Sequence, residues 1–96
     1  MFGVIATLRV EPARTAAFES CFTDFARTVL GDEPGTLSYC LDKSQSESCT
    51  YRAIEIYEIE AAFNTHAAAE AFQAFRPTLL NFLIEPPSSE RKEIVV

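Results

Sequence analysis

Residues 33–58, EPGTLSYCLDKSQSESCTYRAIEIYE, carry the pattern that decides the fold. Glu33-Pro34-Gly35 opens the stretch as a turn, because proline fixes φ and glycine is free to take φ > 0. Thr36 to Lys43 then alternates, with Leu37, Tyr39 and Leu41 on one face and Ser38, Cys40 and Asp42 on the other. A polar loop, Ser44 to Ser48, separates this run from Thr50–Glu58 (TYRAIEIYE), which alternates again. Two period-2 runs joined by a short polar loop predict a long β-hairpin.

Toward the N-terminus, Phe2–Val10 (FGVIATLRV) is mostly apolar and suits a strand buried on both faces. Glu11-Pro12 ends it, and Pro12 sits where a helix begins. From Ala13 to Leu30 the apolar residues Phe18, Cys21, Phe22, Phe25 and Val29 form one stripe of an amphipathic helix, and Gly31 provides a stop. Toward the C-terminus, Ile59–Ala71 is Ala-rich and helical, with Phe63, His66 and Ala67 sharing a face. A further helical stretch carries Phe72, Phe75, Leu79 and Leu80, and Pro77 within it predicts a kink or a helix start. Pro86-Pro87 and two serines close the helical region, and Ile94-Val95-Val96 reads as a terminal strand. The order β-α-β-β-α-β is the ferredoxin-like split pattern: an α+β fold, an antiparallel sheet with helices on one face. Strand one puts Phe2, Val4, Ala6 and Leu8 on one face and Ile5 on the other, while Ile54 and Ile56 lie on strand three. A sheet apolar on both faces with helices for only one calls for a second copy packed sheet to sheet.

The 96 residues fit a single domain, 1–96. With 48% apolar and 23% charged residues the chain is neither disordered nor membrane-spanning. No basic leader with an apolar run and cleavage site opens it, so a cytoplasmic location is expected. Net charge is −6, and the six Arg and two Lys are scattered, which argues against a nucleic-acid partner. Small acidic domains still bind small anions through one or two arginines. Cys21, Cys40 and Cys49 make an odd count without CxxC or a histidine at zinc-ligand spacing, so neither a disulfide framework nor a metal site is expected.

EPGTLSY (33–39), YRAIEIYE (51–58) and AAFNTHAAAEAF (61–72) together resemble the antibiotic biosynthesis monooxygenase family. The shared pattern is a Glu-Pro-Gly turn into a strand ending near Tyr, a strand with Glu-x-aromatic, then an Ala-rich helix with a His. Here these positions are Glu33, Pro34, Gly35, Tyr39, Glu55, Tyr57 and His66, and the resemblance spans essentially the whole chain. It implies a homodimeric α+β barrel with a pocket between each sheet and its helices. Relatives mostly oxygenate phenols, anthrones or quinols with O₂ and no cofactor. Others degrade haem or isomerise phosphorylated sugars, so fold alone does not settle chemistry. The haem-degrading branch needs an Asn in strand one, a Trp in the second helical region and a His about ten residues on. Thr7, His66 and Arg76 stand there instead, and the chain has no Trp. Haem degradation is rejected.

Cofactor-free oxygenation needs a base, a dry site and oxyanion stabilisation. His66, the only histidine, starts near the right pKa and follows Phe63 by one turn toward the interior. Its alternative reading is a packing histidine bonded to Glu55 or a backbone carbonyl. Glu55, between Ile54 and Ile56, needs a partner if buried, either His66 or Arg52. A Glu55–His66 pair would match the base-and-orienter arrangement. Tyr51, Glu55 and Tyr57 alternate onto one pocket wall, and Tyr39 follows from the motif; otherwise these tyrosines are core aromatics. Arg76 beside Pro77 could meet an anionic substrate or a phenolate, Asn81 lies one turn on, and Thr7 is the only neutral polar side chain in strand one. The alternative functions are an isomerase, or a decarboxylating or cyclising enzyme, of a small polyketide-like or phosphorylated metabolite, and a non-catalytic ligand-binding dimer; a phosphorylated substrate needs convergent basic residues, for which only Arg9 and Arg76 qualify.

Overall fold

In the computed structural model, which describes residues 1–96, four strands and three helices follow the split order. They are β1 (Phe2–Arg9), α1 (Thr15–Asp32), β2 (Thr36–Lys43), β3 (Thr50–Tyr57), α2 (Glu60–Ala68), α3 (Glu70–Phe82) and β4 (Ser88–Glu93). All pairings in the β2-β3-β1-β4 sheet are antiparallel. No helix is long and apolar enough to cross a membrane.

The α1 stripe folds as its spacing dictates: Phe18, Phe22, Phe25 and Val29 are buried against the sheet, and Cys21 lies half-buried beside them. Aromatic side chains build this core. Phe25 stacks on Phe75 of α3 at 3.9 Å between ring centroids, and Phe22 stacks on Tyr39 of β2 at 5.7 Å. Arg14 ties the start of α1 to the end of α3, donating to the Asn81 carbonyl at 2.8 Å and lying over the Phe82 ring. Gly31 is not the stop expected of it: α1 runs through it to Asp32. Glu33 leaves the helix because Pro34 behind it disfavours α backbone, and Glu33 adopts φ −117°, ψ 92°. No glycine takes positive φ, so Gly35 serves the turn through its missing side chain; a Cβ there would stand 2.7 Å from that of Ala62.

Three expectations change with register and edges. A bulge between Thr36 and Ser38 turns Leu37 outward, 48% exposed, so it leaves the face it was assigned and Thr36 takes the buried place opposite Tyr57. Pro77 does not start a helix, since α3 continues through it; the break between the two later helices lies at Ala69, in extended backbone. There the Gln73 amide donates to the Ala67 carbonyl at 2.7 Å and closes the end of α2. The last strand is the polar Ser88–Glu93, not Ile94–Val96. It pairs with β1 through the backbone, and all six residues are exposed, so no apolar pattern marked it.

The helices cover β2, β3 and β1 from one side. Residues Ile5, Ile54, Ile56 and Cys40 alternate onto the other side, which no helix covers and where Ile94, beyond β4, packs over Gly3.

Candidate active site

Between sheet and helices lies a cavity of about 190 Å³ with an overwhelmingly apolar lining. Val4, Ala6 and Leu8 of β1 and Ala53 of β3 form its floor, Phe22 of α1 and Phe63 and Phe72 of the later helices its walls, and Leu79, Leu80, Pro87 and Ser89 its outer part. The α2 face foreseen from spacing is present, with Phe63, His66 and Ala67 all lining the cavity.

His66 is 2% exposed and enclosed by aromatic rings, with Phe72 at 5.0 Å, Tyr39 at 5.1 Å and Tyr57 at 5.8 Å between centroids. Its Nδ1 meets the Glu33 carboxylate at 2.9 and 3.2 Å. The expected partner was Glu55; the observed one is the first residue of the turn that follows α1. Thr36 Oγ1 also donates to Glu33 Oε1 at 3.0 Å, which fixes the carboxylate. With Nδ1–H donating to Glu33, the unprotonated nitrogen is Nε2, which has no hydrogen-bond partner in the chain. Burial holds the His66 pKa below its ordinary value, outweighing the attraction of Glu33, so the ring is neutral near pH 7.

Glu55 also lines the cavity, buried, and its Oε1 accepts the Tyr57 hydroxyl at 2.5 Å. Neither His66 nor Arg52 pairs with it; Arg52 lies on the opposite sheet face, because odd and even residues of β3 alternate. Desolvation pushes the Glu55 pKa up to about 7; the Tyr57 bond pulls the other way, and the neighbouring Glu33 charge adds to the rise. The hydroxyls of Tyr39 and Tyr57 are both driven up, first by burial and then by Glu55, so both stay protonated. Tyr39 lines the cavity, and its hydroxyl is free of any hydrogen bond within the chain.

The structure thus gathers His66, Glu55, Tyr39 and Arg76 at one cavity, with Tyr57 acting through Glu55. It does not bring in the other residues singled out. Tyr51 shares the β3 face but lies at the far end, donating to Glu19 at 2.5 Å. Thr7 points to the opposite sheet face, into a separate polar cleft with Arg9, Arg52 and Ser88. Asn81 is exposed, and its contribution is the carbonyl that accepts from Arg14. Glu33 was passed over as a turn residue; its presence in the Glu-Pro-Gly motif was the signal that pointed to it. No three His, Cys, Asp or Glu side chains converge as a metal-ligand set.

Comparisons with known proteins bear on what this cavity belongs to. Residues 1–78 match the family model for antibiotic biosynthesis monooxygenase. A Caulobacter crescentus protein, described provisionally as an antibiotic biosynthesis monooxygenase, is 35% identical, superposes with a TM-score of 0.94 and aligns over 99% of this chain and 90% of its own. A similarly described protein from Nitrosomonas europaea is 18% identical, with a TM-score of 0.91 and full coverage of both chains. Rv0793 from Mycobacterium tuberculosis is 19% identical, with a TM-score of 0.86 over 99% of this chain and 94% of its own; these last two speak to fold alone. The search of functionally curated proteins gives no match. With the family model covering most of the chain and the cavity set between its sheet and helices, the protein belongs to the antibiotic biosynthesis monooxygenase family.

Proposed function

We propose that the protein is a cofactor-independent monooxygenase of a small hydroxylated aromatic, anthrone or quinol, with His66 as general base, working as a homodimer. The observation that carries this reading is a neutral histidine whose Nδ1 is fixed by Glu33 and whose Nε2 is unpartnered beside an apolar cavity. That is a base held by an orienting carboxylate, the arrangement by which side chains take protons from bound substrates.

The chemistry follows from these groups. Nε2 removes the substrate hydroxyl proton, and Glu33 stabilises the imidazolium that results. The Tyr39 hydroxyl is the donor available to the developing oxyanion. The electron-rich anion passes one electron to O₂, and the radical pair joins to form a carbon–oxygen bond to a peroxide. The imidazolium returns its proton to the peroxide. Nε2 then takes the hydrogen on the oxygenated carbon as a proton while the O–O bond breaks. The distal oxygen leaves with its own proton and one from protonated Glu55 as water, the carbon becomes a carbonyl, and His66 reprotonates Glu55. An apolar lining suits this sequence because it keeps bulk water from the anion and the radical pair.

An isomerase for a phosphorylated substrate is disfavoured by the basic residues: Arg9 is tied to Glu47 and Glu85 on the other sheet face, leaving Arg76 alone at the cavity. The test is oxygen uptake by chelator-treated protein over a panel of quinols, anthrones and catechols, beside His66→Ala. Uptake above autoxidation that is lost in the variant supports the reading. Uptake unchanged in the variant removes His66 as base, and none at all removes the monooxygenase.

A further inference from the structure

The polar groups of the cavity are sorted by depth. Tyr39, Glu55 and His66 are buried, whereas Arg76 reaches the same cavity from α3 and is exposed at its rim. Arg76 also differs from the other cations of the chain. Arg9 is held by Glu47 and Glu85, Arg27 by Asp24, Arg91 by Glu60, Lys43 by Glu19 and Lys92 by Glu90, while Arg14 donates to the Asn81 carbonyl. Arg76 has no carboxylate at ion-pair distance in a chain of net charge −6; of the two other arginines without one, Arg14 is engaged by the Asn81 carbonyl and Arg52 faces the opposite side of the sheet. A guanidinium offers a planar fork of donors that fits a carboxylate with two parallel hydrogen bonds.

The deep wall selects the opposite way. Glu33 and Glu55 lie close enough to raise the Tyr39 hydroxyl pKa by their charge, and the free groups there are an imidazole lone pair and a phenol. A negatively charged substituent is repelled at that end, and a neutral hydroxyl that donates to Nε2 is favoured. A cavity of about 190 Å³ falls below the ~300–1,000 Å³ of pockets for drug-sized ligands, so a compact ring spans it from wall to rim.

We propose that the ligand is a small hydroxyaromatic acid, bound with its hydroxyl inward on His66 Nε2 and its carboxylate outward on Arg76. The hydroxyl half rests on the monooxygenase reading; the carboxylate half does not. The test is calorimetric binding under nitrogen to chelator-treated protein, with three probes: gentisate, its methyl ester and hydroquinone. Gentisate is expected to bind about tenfold tighter than the ester, the size of one charge-assisted contact. Arg76→Gln should abolish that difference without changing ester affinity, and Arg76→Lys should retain part of it. Equal binding of acid and ester, a preference that survives Arg76→Gln, or no binding of any probe overturns the inference. Because no oxygen is present, an Arg76-dependent preference without oxygen uptake in air would remove the monooxygenase and leave the ligand class. His66-dependent uptake with equal binding of acid and ester would do the reverse.

Discussion

Glu55 lines the cavity while Glu33 stands behind His66, and their surroundings give the two glutamates different work. Glu33 holds the Nδ1 proton of His66, whereas Glu55 is buried against Tyr57 with its pKa raised to about 7. Glu33→Gln replaces an acceptor with an amide that can donate to Nδ1, which moves the ring proton to Nε2 and removes the base. Oxygen uptake should fall by about 10²–10⁴, as general-base losses do, with little change in KM. Glu55 makes a prediction in pH. The proposed cycle needs neutral His66 and protonated Glu55, so the rate should rise with pH on the His66 limb and fall again near pH 7. Glu55→Gln should lower the maximum and erase the alkaline limb, read from kcat against pH. Stability carries the same signature. The folded state keeps the Glu55 proton up to about pH 7, while the unfolded chain releases it near 4.5, so the folded state binds the extra proton between them. Stability therefore falls as pH rises across that window, by about 3 kcal/mol when complete. Glu55→Gln should flatten the slope in denaturant melts from pH 5 to 8. His66 works in the other direction: with its folded pKa lowered, stability is lost as pH drops below about 6.5. The residue types of this site were legible in the sequence, since His66, Glu55 and Tyr39 sit where period and motif place them. Their partners were not. Glu33 and His66 are 33 positions apart, and which carboxylate reaches the ring depends on how α2 docks, a tertiary fact no local pattern contains.

At the scale of elements, the site depends on how closely α2 approaches the turn before β2. Gly35 sets that distance, because an added Cβ would meet the Ala62 Cβ at 2.7 Å, closer than side chains pack. Gly35→Ala should cost about 1–3 kcal/mol through overpacking and weaken the Glu33–His66 contact as α2 is pushed away. Ala62→Gly costs roughly 1 kcal/mol alone as a helix glycine. Combined with Gly35→Ala it should recover both stability and oxygen uptake, so a double-mutant cycle reads the steric coupling directly. The same scale explains which elements the sequence disclosed. The α1 stripe and the β2–β3 hairpin were readable because each buries one face at its own period. The bulge at Leu37 was not, since one extra residue leaves no compositional mark. Nor was β4, whose polar SSERKE has no buried face and is held by its backbone ladder to β1.

For the whole molecule the open question is the second sheet face, which the three helices leave bare. Ile54 sits at the middle of it, with Ile5 opposite on β1 and Cys40 opposite on β2, and Ile56 lies two residues along. Burying an isoleucine contributes roughly 1.5–3 kcal/mol, so leaving this group in water forgoes several such terms, and a two-fold copy recovers them on both chains at once. On this argument the wild-type protein sediments at twice the chain mass at micromolar concentration. Ile54→Glu should halve that mass, because a two-fold axis through this face would bury a desolvated charge on each copy at the centre of the seam. The cavity lies on the other side of the sheet, between it and the helices of the same chain. The variant monomer should therefore keep its far-ultraviolet circular dichroism and the Arg76-dependent preference for gentisate. If wild type sediments as a monomer, the bare apolar face has another cover. If Ile54→Glu stays dimeric, the copies meet elsewhere. If the monomer forms but loses gentisate binding while remaining folded, the dimer supports the cavity through the sheet as well as hiding its far face.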